Sequence, residues 1–396
     1  MLSTALIAKD TIREARKSGG RTVYAVSLRR DLDQAMTEAA WLMRDGRATV
    51  FQTPAFVSQW ARTIGAARGT EFFLLEVRER ASGRLVMLMP LVRRRAGGVI
   101  MIETPDFGLA DYVGPLVSRD FSPTRRAMGR IWQQARAAVP PADIIRFVKM
   151  PARIAGKPNP LLRLAGIKPS SMTAWGAPLA AADTVWRNSV ACAKRRADLD
   201  ARWRKLNKRG RVEFRTARSL NEVEAFYGAM CAQRSERFAT LNFPNCLAKP
   251  EIRRFYRSLL GSGEPGAPAV IQALTIDGEI IATGYGLVGN DAFHMIFPTF
   301  KAEGWRNYSP GMHLFRKSME WSAGEGLTYY DFTVGAEGFK RDFGAREAPL
   351  YERYEALSAR GLAALGWIET RRFIKGQPRL ARFLCSLKSK MSFKGK

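Results

Sequence analysis

Long apolar runs are missing from this chain. Nothing approaches about 18 uninterrupted apolar residues, which excludes an ordinary membrane-spanning helix. Cysteine is scarce. The four thiols, Cys192, Cys231, Cys246 and Cys385, lie far apart and in no metal-ligand spacing. That excludes a disulfide framework, and no metal is expected. Each is read as a bland or buried thiol. Histidine is scarcer still, with only His294 and His313 to choose from as neutral-pH bases. Acids are outnumbered, 36 against 64 Lys and Arg, for a net charge of +28 and a pI near 10.6. Such a field attracts anions. The candidates are nucleic acid, an acidic membrane surface, a nucleotide-linked sugar, CoA phosphates or an acidic polymer. The first twenty residues place acids soon after a very short apolar run, a poor signal peptide. A cytoplasmic protein is expected, with peripheral contact to an inner membrane left open.

What is present is globular. The apolar fraction is 46%, and 396 residues exceed what one core usually organises, so two domains are expected. In the second half, Val212–Thr216 reads as a strand. Two helical segments follow, near Asn221–Phe238 and Pro250–Leu260. Three antiparallel strands come next, Ala269–Ile276, Ile280–Val288 and Ala292–Phe297. They turn at Asp277-Gly278, a strong hairpin signal, and at Gly289-Asn290-Asp291. Pro310 suits the first position of a helix, with Ser309 as its N-cap and Gly324 and Gly326 as its stop. Leu327–Val334 reads as a buried strand. The turn Ser309-Pro310-Gly311 at a helix start can offer free N–H groups to an anion.

The first half reads alike: a strand at Thr22–Leu28, helices at Asp31–Met43 and Pro54–Ile64, and strands at Phe72–Arg78, Leu85–Arg93 and Val99–Thr104. A helix at Pro123–Val139 and a strand at Ile144–Val148 complete it. The stretch Met150–Asp183, rich in Pro, Ala and Gly, reads as the link between halves. The expected organisation is residues 20–180, residues 184–357, and a basic tail over 358–396.

The element order of residues 212–357 resembles the GNAT acyltransferase fold. The segments YSPGMHL, TYYDFTVGAEGFKRDFGA, VFQTPAFVSQWARTIG, LMPLVRRR and LADYVGPLV resemble the CelD-type proteins. These are tandem-GNAT acetyltransferases linked to cellulose and exopolysaccharide biosynthesis and related to FemAB-like transferases. The resemblance spans about Phe51 to Tyr354. It implies an α/β fold of two GNAT-like domains with mixed, mostly antiparallel sheets flanked by helices. It also implies acetyl-CoA, or another acyl-CoA, bound at Ser309, Pro310, Gly311 and Met312. The usual GNAT pyrophosphate signature is replaced here by Ser-Pro-Gly. The first half has Leu109–Pro115 at the matching place, with no comparable helix start, so it is expected to shape the acceptor side through Asp111 and Tyr112.

Acyl transfer needs a base, a donor to the thioester oxygen and an acid for the thiolate. His294, within the strand just before the Pro310 helix, is a candidate base or a strand histidine satisfied by its neighbours. His313, in the first turn of that helix, is expected neutral and packed. Asp331 sits in the apolar strand YYDFTV, where an unpaired acid is costly. Either it pairs with Lys340 to brace the Gly-rich bend, or it acts as base with Lys340 stabilising negative charge. Glu337 is a second acid in that bend, and Tyr308 is the candidate acid for the thiolate. The acceptor is expected to be a small molecule or saccharide, anionic by charge complementarity.

Two further readings stay open. One is an aminoacyl-tRNA-dependent transferase with the Lys194–Arg211 helix as RNA arm, disfavoured because aromatics are not interleaved with its charges. The other is a scaffold of an envelope polysaccharide synthase acting through its tail. From Arg360 to Lys396 there are ten basic residues and one acid, Glu369, among Leu362, Leu365, Trp367 and Phe373. That is the pattern of an amphipathic membrane-surface helix or of a disordered tail.

Overall fold

A computed structural model describes residues 23–179, 193–263, 267–289, 291–335 and 338–376. Glu337, Cys192, Cys385 and the tail beyond Gly376 lie outside the described residues.

The first half runs β1 (Tyr24–Arg29), α1 (Leu32–Asp45), α2 (Pro54–Trp60, continued as one π turn through Gly65), β2 (Glu71–Glu79), β3 (Leu85–Ala96) and β4 (Val99–Glu103). It continues with β5 (Leu116–Val117), α3 (Arg125–Ala138), β6 (Ile144–Pro151), the small hairpin β7 (Arg153–Ile154) and β8 (Lys157–Pro158), and β9 (Ile167–Pro178). The second half runs α4 (Ala193–Asn207), β10 (Val212–Thr216), α5 (Leu220–Leu241), α6 (Pro250–Ser258), β11 (Ala269–Ile276), β12 (Glu279–Gly289) and β13 (Ala292–Phe300). It ends with α7 (Pro310–Gly324), β14 (Tyr329–Val334), α8 (Phe339–Asp342), β15 (Arg346–Ala356) and α9 (Ala359–Gly376).

Local chemistry sets most of these boundaries. Asp31, Thr53 and Thr124 each accept an amide bond at the start of α1, α2 and α3. At the start of α5 Ser219 Oγ accepts the Glu222 amide while the Glu222 carboxylate accepts the Arg218 amide, and Asn242 ends the helix in the left-handed region. Asp277 and Gly278 both take positive φ, as a type I′ hairpin turn requires. Helix α4 packs through Leu199, Trp203 and Leu206, while Arg204 and Lys205 face solvent and Arg195 and Arg202 pair with Asp342 and Asp198.

The two halves are joined sheet to sheet, not by an irregular linker. The two halves share one 13-stranded sheet, ordered β1-β2-β3-β4-β6-β15-β9-β14-β13-β12-β11-β10, with β5 on β3. Strand β9 of the first half pairs with β14 of the second, and β15 of the second pairs with β6 of the first. Each half thus completes its sheet with the other's last strand. The stretch read as a linker from Met150 to Asp183 contains β9, a 12-residue strand at the centre of the sheet. Its Pro, Ser and Ala content hides a strand whose neighbours on both sides come from distant sequence.

One core cluster joins the halves: Phe51, Phe56 and Trp60 pack against Phe226, Phe255, Tyr256 and Tyr285. The Phe56 and Phe255 rings meet edge-on at 5.1 Å, and Tyr256 Oη donates to the Leu109 carbonyl at 3.1 Å. The helix that matches α7 in the first half is α3, which starts after Ser122-Pro123-Thr124. The expectation that Leu109–Pro115 occupies that place is therefore corrected: those residues form an extended loop ahead of it.

Candidate active site

Strands β13 and β14 run parallel for only three rungs, Ala292–Tyr329, Phe293–Tyr330 and His294–Asp331. Beyond the last rung they part. The gap is a cavity of about 330 Å³ between Met295, Ile296 and Pro298 on one strand and Phe332, Thr333 and Val334 on the other. The start of α7, Ser309–Met312, closes one end, and Phe339 and Lys340 line it too. The β12–β13 register slips between Tyr285–Phe297 and Gly286–Met295, so Ile296 is a bulge residue with no cross-strand partner.

The helix start differs from the expected anion cradle. Ser309 sits at the cap position but in the left-handed region (φ 55°), and its side chain caps nothing. Met312 and His313 turn their amides back onto the Ser309 carbonyl, at 3.0 and 3.3 Å. Pro310 has no N–H, which leaves that of Gly311 in the first turn. A Cβ on Gly311 would stand 3.1 Å from the Phe300 ring. Arg237 and Arg306, both exposed, line the same cavity, and neither forms an ion pair among the described residues.

The other face of the ladder opens into a second cavity, of about 480 Å³. Ala292, His294, Tyr329 and Asp331 line it from β13 and β14, because residues two apart share a strand face. Tyr112, Trp175, the β7–β8 turn and Pro349 complete it. Asp331 is the hub. One carboxylate oxygen, Oδ1, accepts from Tyr112 Oη at 2.8 Å and from the Thr333 amide at 2.7 Å; the other, Oδ2, lies 3.0 Å from His294 Nδ1. Held that way, His294 keeps its proton on Nδ1 and its lone pair on Nε2. Nε2 is buried and has no hydrogen-bond partner. Burial, reinforced by the Asp331 charge, pushes the Tyr112 hydroxyl far above its ordinary range, so it stays a donor. Tyr329 is pushed up to about 12 by the same two causes. Half-buried Asp111 stands beside Thr333. Loss of hydration raises its carboxyl to about 6, against the opposing pull of Lys149.

Three expectations are corrected by this geometry. Asp331 does not pair with Lys340. The Lys340 ammonium is buried and donates to the carbonyls of Phe332 (2.9 Å), Gly335 (3.0 Å) and Thr333 (3.4 Å), pinning the end of β14. Tyr308 lies off the cavity, in a short helical turn with its ring 6.0 Å from that of Trp305. Ser309 does not cap. The structure brings Asp111 and Tyr112 against Asp331 and Thr333, and His294 beside them. His313 is fully buried, packs on Trp203 at 4.9 Å, and is pushed down to about 4 by burial and Arg316, so it is a neutral packing group. Ile296, Thr333, Trp175, Arg237 and Arg306 were not singled out in the sequence. A bulge, a non-glycine at φ 57° and a strand inside a Pro-rich stretch leave no local sequence signal.

The family model for the acetyltransferase (GNAT) domain matches residues 193–341. No curated protein matches the sequence. Among solved structures, FemX superposes with a TM-score of 0.56 at 12% identity, covering 80% of this chain and 95% of FemX. The C-terminal domain of a putative lysylphosphatidylglycerol synthetase from Agrobacterium fabrum superposes at 0.49 and 12% identity, over 85% and 95% of the two chains. A tandem GNAT protein from the clavulanic acid biosynthesis pathway gives 0.44 and 13%, over 85% and 99%. The second half therefore carries a GNAT-type acetyltransferase domain, an enzyme fold of acyl transfer, within a mixed α/β architecture.

Proposed function

We propose that this protein transfers an acyl group from an acyl-CoA thioester, acetyl-CoA first among them, to an amine or hydroxyl acceptor. The single observation that carries the reading is the His294–Asp331 rung, which stands between two cavities on opposite faces of the sheet. In this reading the donor enters the gap between β13 and β14, and the acceptor occupies the aromatic-lined cavity. His294 Nε2 takes the proton as the acceptor's N or O attacks the thioester carbon. The unpaired bulge at Ile296 supplies a backbone N–H to the carbonyl oxygen. The C–S bond breaks and the thiolate is reprotonated from solvent. Asp331 holds the imidazole in the correct tautomer and stabilises its charged form. Arg237 and Arg306 receive donor phosphates at the cavity mouth. The sequence resemblance to the CelD-type proteins supports an acceptor from envelope polysaccharide metabolism.

A second reading, an aminoacyl-tRNA donor, draws on two observations. The α7 start offers a single free amide where a pyrophosphate wants several, and Arg204 and Lys205 stand exposed on the neighbouring helix α4, with Lys208 exposed just beyond its end. Calorimetric titration with acetyl-CoA and CoA separates the two. Saturable binding that Gly311→Trp abolishes supports the CoA reading. A folded wild type that binds neither, but binds tRNA in a salt-dependent way, overturns it in favour of the second.

A further inference from the structure

Helix α9 is docked by one face only, and that fixes which face is free. Ser358 caps it, accepting the Gly361 amide at 3.1 Å and donating to Asp143 at 2.6 Å. Gly361 sits so close to the Asp143 carbonyl that a Cβ would stand 1.9 Å from it. Gly361, Ala364, Leu365 and Ile368 turn toward the sheet, and Glu369 is tied to Lys168 at 2.9 Å. Leu362, Ala363, Gly366, Trp367 and Thr370 remain exposed. At about 100° per residue they fall within a strip about 140° wide. Leu362 is 66% exposed and Trp367 62%, among the four most exposed large apolar side chains of the described residues.

Charge says what fits this strip. Arg360 and Arg371, both exposed, border its Trp367 edge. The chain continues from α9 with twenty residues that hold six Lys or Arg and no acid. A second copy would bring the same +28 to the contact, so the face is poorly suited to self-association. An apolar strip with cations along its Trp367 edge, and its one neighbouring acid, Glu369, neutralised by Lys168, is suited to a surface that is apolar within and negative at its skin. We infer that α9 is a peripheral docking helix for an anionic lipid bilayer. Leu362 and Trp367 enter the headgroup–acyl boundary, and Arg360 and Arg371 meet lipid phosphates. No described helix is long and apolar enough to cross a membrane, so the contact is with the surface.

The test is flotation of the full chain with vesicles of phosphatidylcholine alone and of phosphatidylcholine mixed with phosphatidylglycerol. The expected result is partitioning onto the anionic vesicles only. Leu362→Glu and Trp367→Glu should each weaken it about tenfold, with unchanged circular dichroism, since both side chains face solvent. High salt should weaken it further. A wild type that stays in bulk with both vesicle types overturns the proposal. So do glutamate variants that bind as the wild type does, which would mean charge alone acts. A dimer in light scattering that the same variants dissociate also overturns it, in favour of a second copy.

Discussion

The molecule contains the same supersecondary unit twice, and the two copies end differently. In each, two parallel strands run together for three rungs and then part, with a helix crossing between them. In the second half the last rung is His294–Asp331 and the gap beyond it is open. In the first half the last rung is Glu103–Arg146, an ion pair at 2.5 Å that Arg94 joins. The gap beyond it is filled by the chain itself. Val113 donates its amide to the Lys149 carbonyl at 3.0 Å, along the edge of β6 that the gap would expose. A buried Asp106–Lys149 pair at 2.7 Å, with Lys149 Nζ also on the Ala110 carbonyl, pins residues 106–113 in place. Glu103 is buried and both of its carboxylate oxygens are held by guanidiniums, Oε1 by Arg94 and Oε2 by Arg146, so this rung has no free base to offer. The lesson is that the closed copy serves the open one. The loop that plugs the first gap carries Asp111 and Tyr112 to Asp331 and Thr333 of the second.

The strongest way to break this contrast is to remove the proposed base. His294→Ala or Asp331→Asn should lower kcat by about 10²–10⁴. Donor affinity should change little, because neither residue lines the cavity proposed for the donor. Thiol release beside calorimetry separates the two, and weakened donor binding with unchanged kcat would defeat the assignment.

Loosening the plug comes next. Lys149→Met leaves Asp106 buried without its cation and should cost about 3–5 kcal/mol of stability, read by urea denaturation. Loss of the plug should also lower kcat, through Tyr112. A variant as stable as the wild type would mean that the pair does not hold the loop.

Asp111 gives a smaller effect with a definite sign. Its carboxyl is raised to about 6 in the fold, so between about pH 4 and 6 the native state holds a proton that the unfolded chain has released. Stability contributed this way is present below the unfolded value and is lost as pH rises through 6. Asp111→Asn should flatten that slope and stabilise the protein by about 1–2 kcal/mol at pH 8. An unchanged slope in denaturation from pH 4 to 8 would count against the assignment.

Tyr112→Phe should have the smallest effect. The ring keeps its edge contact with Phe51 at 5.7 Å, while Asp331 loses one donor. A roughly fivefold to tenfold fall in kcat is expected, near 1 kcal/mol, with stability almost unchanged. An equal fall in stability would make the tyrosine structural instead.

The site was legible where its signal is local. His294 stands in the strand that precedes the Pro310 helix, Asp331 is an acid in an apolar strand, and both were visible as anomalies of pattern. Asp111 and Tyr112 entered through a family resemblance. Their contact with Asp331 spans 219 residues of sequence, a separation that no periodicity encodes. Lys340 was paired with the wrong partner. Nearness in sequence favoured Asp331, but the bend after β14 turns the ammonium onto backbone carbonyls instead.

By itself the sequence determined the elements whose physics is short-range. The capped starts of α1, α2 and α3, the Asp277-Gly278 hairpin, the Pro310 helix with its glycine stop and the packing stripe of α4 each depend on a few adjacent residues. Only the tertiary structure decided which strands exchange between the halves, which gap opens and which closes, and who neutralises Asp331. Those outcomes turn on hydrogen bonds and ion pairs between segments far apart in the chain. Their free energy appears only when both partners are buried together.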